Sequence, residues 1–142
     1  MVEKMNENDN LSIKSYSRKM ASYVLEQIKN LNEDELKKLS SLANKIPAMI
    51  RYNGLSLTIA YLYSKKTNES EKIFDVIINW FENESIFKED LNKISVAISN
   101  ELNELKFLKA ITDEKMDIII YRAISNEAIT LLEWVRRLFS TK

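Results

Sequence analysis

From Ile13 the chain sets apolar residues three and four apart, Ile13, Met20, Ala21, Val24, Ile28 and Leu31, with Ser17 the one small polar residue in the stripe. That is the period of a helix with one buried face. Residues 1–10 are polar and unpatterned, which predicts a flexible N-terminal segment over 1–10 and a single helical domain over 11–142. Asn32 and Glu35 have capping-box spacing, and Leu36, Leu39, Leu42, Ala43 and Ile46 continue the helical period to Pro47. Proline has no backbone N–H and restricts the residue before it, so a boundary is expected there, with a short helix through Met49 and Ile50. Asn53-Gly54 then supplies residues that tolerate the left-handed conformation closing a helix.

Leu55 to Tyr63 is apolar nearly all round, leaving only Ser56 and Thr58 polar, and such a segment is expected at the centre of the core. After a polar connector, an Asn68/Glu71 start signal precedes Ile73, Phe74, Ile77, Ile78, Trp80 and Phe81 on one amphipathic helix. Another helix is expected from about Ser85, striped by Leu91, Ile94, Ile98, Leu102 and Leu105, with Phe107, Leu108 and Ile111 packing the turn into Asp113 as the next N-cap. A longer final stripe follows, from Met116, Ile119, Ile120, Ala123 and Ile124 through Ala128, Leu131, Leu132 and Val135 to Leu138 and Phe139. The expected fold is all-α, a compact single-domain bundle of six or seven helices, with no internal repeat.

Composition sharpens this. Gly54 and Pro47 are the only glycine and the only proline, so the turn residues that a many-stranded fold needs are missing. With neither cysteine nor histidine in the chain, disulfides, thiolate chemistry, the usual zinc ligands and imidazole catalysis are excluded. One glycine cannot build a phosphate-cradling loop, and without histidine the Glu-x-x-His di-iron pattern cannot form. Only carboxylates are left for catalysis, and their densest cluster, Glu82, Glu84, Glu89 and Asp90, lies around a helix junction, where acids serve the following N-terminus. The chain therefore reads as a non-enzyme that needs no cofactor and no metal. No segment has the apolar run of a signal peptide or a membrane span, so a cytoplasmic protein is expected.

Net charge is zero, but it is divided along the chain. Residues 14–66 hold ten Lys or Arg against four Asp or Glu, and residues 120–142 four against two, whereas residues 67–119 hold six against twelve. Folded onto separate faces, these segments would give one side suited to a polyanion and another suited to a basic neighbour, unless the charges simply solvate helix surfaces. Lys14, Arg18 and Lys29 share a stripe of the first helix, diluted by Glu26. Lys45 and Arg51 flank the Pro47 turn, and Arg122, Arg136 and Arg137 project from the polar side of the last helix. Cations on rigid helices can hold a nucleic-acid backbone without reading its sequence. Tyr16, Tyr52 or Trp134 could stack on a base, although aromatics at helical spacing more often pack inside.

Two segments carry a resemblance. The first runs from Lys45 to Leu62, with Pro47-Ala48-Met49-Ile50 and Asn53-Gly54-Leu55 at its core, and the second runs from Tyr121 to Arg137, with Glu127-Ala128 and Leu131-Leu132-Glu133-Trp134. Together they resemble the small subunit of the Cmr complex, the type III-B CRISPR effector that uses a guide RNA to recognise foreign transcripts. Leu57 stands where the family pattern commonly has a glutamine. The resemblance implies a non-catalytic role in antiviral defence. Several copies would stack in a minor filament beside other Cmr effector subunits, along the guide RNA/target RNA duplex, stabilising target binding while other subunits cut. The basic residues named above would then line the target strand, and the acidic middle segment would meet a neighbouring subunit. Two readings compete: the small subunit of a type III-A (Csm) effector, which lacks the Pro-Ala-Met-Ile signature, and a helical adaptor that binds protein without RNA contact.

Overall fold

The helical period is carried through by the backbone. The computed structural model describes the backbone of residues 2–95 and 103–140 and the side chains of residues 15–94 and 106–138. Among these are seven α-helices and one π-helical turn, and no strand: α1 (Val2–Ile28), α2 (Glu33–Asn53), α3 (Leu55–Lys65), α4 (Asn68–Asn79), the π-turn Trp80–Glu84, α5 (Lys88–Ser95), α6 (Asn103–Thr112) and α7 (Ile118–Ser140). The all-α bundle expected from the pattern is the fold observed.

Several boundaries differ from the pattern. The first helix starts at Val2 rather than near Leu11, because nothing before Ile13 breaks a helix and propagation adds a hydrogen bond for each residue fixed. Pro47 is interior to α2 rather than a boundary. The buried stripe Leu36, Leu39, Leu42, Ala43, Ile46 and Ile50 runs straight through it. Each large side chain buried contributes about 1.5–3 kcal/mol, so continuing the stripe outweighs the roughly 3 kcal/mol that an interior proline costs.

The start of α4 is set one residue earlier than expected, by Thr67 and Ser70 in a reciprocal capping box. For the final helix the cap is Asp117, not Asp113. Asp117 Oδ1 accepts from the Ile119 and Ile120 N–H groups at 2.7 and 3.4 Å, whereas Asp113 Oδ1 accepts from Lys115 N–H in the preceding turn. Phe107, Leu108 and Ile111 belong to helix α6 rather than to a turn. The expected stripe positions Ile98 and Leu102 lie outside the described residues, as does the side chain of Leu105.

Asn32 forms the expected capping box, its Oδ1 accepting from Glu35 N–H at 2.8 Å while Glu35 Oε1 accepts from Asn32 N–H at 3.2 Å. Gly54 ends α2 and starts α3 at φ 87° and ψ 159°, its N–H donating to Ile50 O at 2.9 Å. That region of backbone space is essentially reserved for glycine, so the joint depends on residue 54 having no Cβ.

The helices from the two basic segments pack on one another: α7 lies along α2, and α1 along α7. Arg136 meets Asn44 while Tyr121 meets Ser56, so α2 and α7 run antiparallel. Tyr16 meets Glu127 while Ile28 shares a groove with Leu138, so α1 and α7 run parallel. From the acidic segment, α4 continues into the π-turn, which packs on α5, and α5 packs on α6. Helix α4 also packs on α2 and α3, and α3 on α6, so the helices of the basic and acidic segments share one core and the division of charge along the sequence is not a division between separate groups of helices. Trp80 and Phe81, where α4 passes into the π-turn, are fully buried. Tyr16 and Tyr23 flank the Trp80 ring at 5.6 and 5.2 Å between centroids, and Phe81 stacks on Phe107 at 5.3 Å. Helix α3 is less central than its composition implies. It buries Leu55, Thr58, Ile59 and Leu62 but leaves Leu57 and part of Tyr61 and Tyr63 at the surface.

Candidate nucleic-acid interface

The α2/α7 pair gathers most of the basic residues singled out in the sequence. Asn44 and Arg51, seven residues apart and so within about 20° on the helical wheel, both reach across to α7. Asn44 Oδ1 accepts from Arg136 Nη1 at 3.3 Å, and Arg51 Nη2 approaches Glu133 Oε1 at 3.4 Å. Lys45 lies one position round α2 from Asn44 and is exposed, as are Arg122 and Arg137 on α7. Among the described residues neither Lys45 nor Arg122 forms an ion pair. Five cations thus stand on the packed α2/α7 ridge, with Arg51 engaged by the Glu133 carboxylate and Lys45 about a third of a turn round α2 from Arg51.

The α1 residues are less uniform. Arg18 is exposed, whereas Lys29 donates to Glu26 at 2.5 Å, so that charge is compensated within its own helix. The side chain of Lys14 lies outside the described residues. The aromatics also part company. Tyr16 and Trp134 are half-buried against the core, but Tyr52, beside Arg51, is 87% exposed, contrary to the expectation that it packs inside. The last turn of α2 carries it past the edge of the bundle. The expected final stripe fails at its start for the same reason, with Ile119 73% exposed at the overhanging end of α7.

Sequence reasoning missed a buried polar junction. Glu127 is buried on α7 between Ile124 and Leu131, and a carboxylate at that position of an apolar stripe was the available signal. Tyr16 Oη donates to Glu127 Oε1, and Ser85 Oγ donates to Glu127 Oε2 at 2.6 Å. Tyr16 Oη and Ser85 Oγ in turn accept the Ile86 and Phe87 N–H groups, each at 3.1 Å. Burial, reinforced by the hydrogen bond to Glu127, pushes the Tyr16 phenol up to about 12, so it stays a donor at any ordinary pH. Lys19 completes the junction, donating to Glu84 O at 2.8 Å with its ammonium 5.9 Å from the centre of the Trp80 ring. Ser85 N–H closes the π-turn on Trp80 O at 2.8 Å. Three elements distant in sequence are therefore pinned through one carboxylate, which satisfies both of its oxygens as burial requires.

The acidic cluster is otherwise employed. Glu84 lies 3.4 Å from Lys19, and burial raises the Glu82 carboxyl above its ordinary range while Lys106 pulls it back. Among the described residues no three carboxylates converge on a point that could hold a metal ion. No helix described is long and apolar enough to cross a membrane.

No solved structure matches this chain. The model of one protein family, described as CRISPR-associated protein (Cas_Cmr5), matches residues 16–141, spanning the basic ridge, the Glu127 junction and the Gly54 joint alike. With nearly its whole length accounted for by that match, this all-helical chain belongs to the Cas_Cmr5 family and is a subunit of a Cmr complex in CRISPR defence.

Proposed function

We propose that the protein is the non-catalytic small subunit of a type III-B ribonucleoprotein effector, several copies of which stack in a minor filament along the guide RNA/target RNA duplex. Its work is to stabilise target binding, and cleavage belongs to its partners. The observation that carries this reading is the packed α2/α7 ridge, whose two rigid helices carry Lys45, Arg51, Arg122, Arg136 and Arg137, with Arg51 beside the Glu133 carboxylate. Rigid cations suit a phosphate backbone, because each phosphate neutralised releases condensed counterions without any reading of sequence. Arg18 is a further exposed cation, on α1. The acidic α4–α6 side would face a neighbouring protein subunit, and the complex would work in the cytoplasm.

The test is to purify a tagged chain from its host, identify the proteins that accompany it, and sequence the RNA. Other Cmr subunits and guide RNAs with repeat-derived ends are expected. Substituting Lys45→Glu and Arg122→Glu together should weaken target retention uniformly across sequences and reduce the salt slope by about 0.9 for each phosphate no longer neutralised. Unchanged retention and slope would remove the ridge from the RNA path. A protein partner recovered without RNA would favour the adaptor.

A further inference from the structure

The joint between α2 and α3 holds a pair of residues that can react with each other. An asparagine side-chain amide is open to attack by the backbone nitrogen of the residue that follows it, and a side chain on that residue crowds the approach. Glycine has none. Gly54 is the only glycine in the chain, so Asn53 is the one asparagine so placed, and every other asparagine precedes a residue with a side chain. Asn53 is the last residue of α2 and is exposed to the water that the reaction consumes.

The closed joint works against this attack. Gly54 N–H donates to Ile50 O at 2.9 Å, while Gly54 O accepts from Thr58 Oγ1 at 2.8 Å and from Thr58 N–H at 3.3 Å. Thr58 is fully buried. Gly54 is thus held by its nitrogen to the last turn of α2 and by its oxygen to the first turn of α3. Tyr121 adds a tie from α7, its hydroxyl accepting Ser56 N–H at 3.2 Å. For the attack to occur, the Gly54 nitrogen must give up both its hydrogen bond and its proton. Asn53 must also leave the helical conformation, which turns that nitrogen away from the carbonyl carbon of its own side chain.

We propose that Asn53 is a spontaneous deamidation site, kept silent by the closed α2–α3 joint and released to react whenever that joint opens. The deprotonated Gly54 nitrogen bonds to Asn53 Cγ as the bond from Cγ to the side-chain nitrogen breaks, and ammonia leaves with the proton. Water then opens the cyclic imide at either carbonyl. In balance one water is consumed and one ammonia released, with nothing oxidised or reduced. One product is aspartate. The other, isoaspartate, routes the backbone through the side-chain carbon and lengthens it by a methylene. Either product sets a carboxylate at the C-terminal end of α2, where the helix dipole disfavours negative charge, and isoaspartate also shifts Gly54 away from Ile50 O. A modified joint therefore closes less well than the one it replaces.

The test compares the full chain, folded and in strong urea, at the same mildly alkaline pH in water carrying heavy oxygen, with mass spectrometry of the peptide that contains Asn53. In urea Asn53 should take up the label, while asparagines before bulkier residues, such as Asn44 and Asn79, keep their amides. If reaction needs a local opening, the folded rate is the unfolded rate multiplied by the fraction of time the joint stands open, so it should be at least about tenfold slower. Thr58→Val, which removes the Oγ1 tie and leaves the reacting atoms alone, should raise the folded rate severalfold without changing the rate in urea. Chain deamidated in urea and then refolded should unfold at a lower urea concentration than chain held in urea at mildly acidic pH, where the imide does not form. Equal rates folded and in urea, or no label at Asn53 in urea, would overturn the proposal. A folded Thr58→Val protein that reacts no faster than the parent would show that the joint is not the gate. Should that variant not fold, the two rates of the parent chain still decide. A deamidated chain that keeps the parent midpoint would refute the impaired closure.

Discussion

Replacing Tyr16 with phenylalanine removes one oxygen atom and tests the junction that joins α1, the π-turn and α7. The hydroxyl donates to a buried carboxylate and accepts the Ile86 N–H. Ile86 is exposed, so its N–H can turn to water. Glu127 Oε1 lies inside and cannot be resolvated without opening the helix pair. A hydrogen bond to a charged group contributes about 1.5–3 kcal/mol, and the ring remains to pack on Trp80, so the expected loss is of that size. At a urea slope of about 2 kcal/mol/M the midpoint should fall by roughly 1 M with the slope unchanged. The cycle closes with Glu127→Gln, which keeps the side-chain shape. If the two groups interact directly, the double variant should be less destabilised than the sum of the singles, by on the order of 1 kcal/mol. A Tyr16→Phe protein within about 0.5 kcal/mol of the parent, or an additive cycle, would refute the claim that this hydrogen bond holds the junction.

Because burial and the Glu127 hydrogen bond raise the Tyr16 phenol from 10.0 to about 12, its contribution to stability is complete below pH 10.0 and lost as pH rises toward 12. Tyr23, raised chiefly by burial, acts in the same sense. Alkaline unfolding followed by circular dichroism should therefore be shallower in Tyr16→Phe than in the parent. Gly54→Ala should cost about 1–3 kcal/mol in the same urea assay, because its φ of 87° and ψ of 159° strain any side chain, even though the nearest atom to an added Cβ, Tyr121 Oη, would be an unobstructive 3.6 Å away. Glu133→Gln should leave stability within about 1 kcal/mol, as expected for an exposed ion pair. By releasing Arg51 it should also strengthen target RNA retention in the assembled complex, measured as a steeper salt dependence.

Helix-forming period, the shortage of glycine and proline, and the absence of histidine and cysteine were properties of the sequence alone. They determined an all-α fold and removed most catalytic chemistry, because hydrogen bonding within a helix and the reactivity of a side chain are local matters. The Asn32 capping box and the Gly54 joint were legible for the same reason, each depending on residues within three or four positions. The Pro47-Ala48-Met49-Ile50 and Glu127 to Trp134 segments carried the resemblance that the family match bears out. Local rules misjudged Pro47 and Ile119, whose fate depends on what packs beside them. A continuous buried stripe overrode the proline, and an overhanging helix end left the isoleucine in water. What only the tertiary structure decided were relations between distant residues: that α2 and α7 lie antiparallel and bring Arg51 to Glu133, and that Glu127 meets Tyr16 and Ser85 across separations of 111 and 42 positions. Those relations follow from how helix faces are matched in a close-packed core, a collective outcome that no window of neighbouring residues contains.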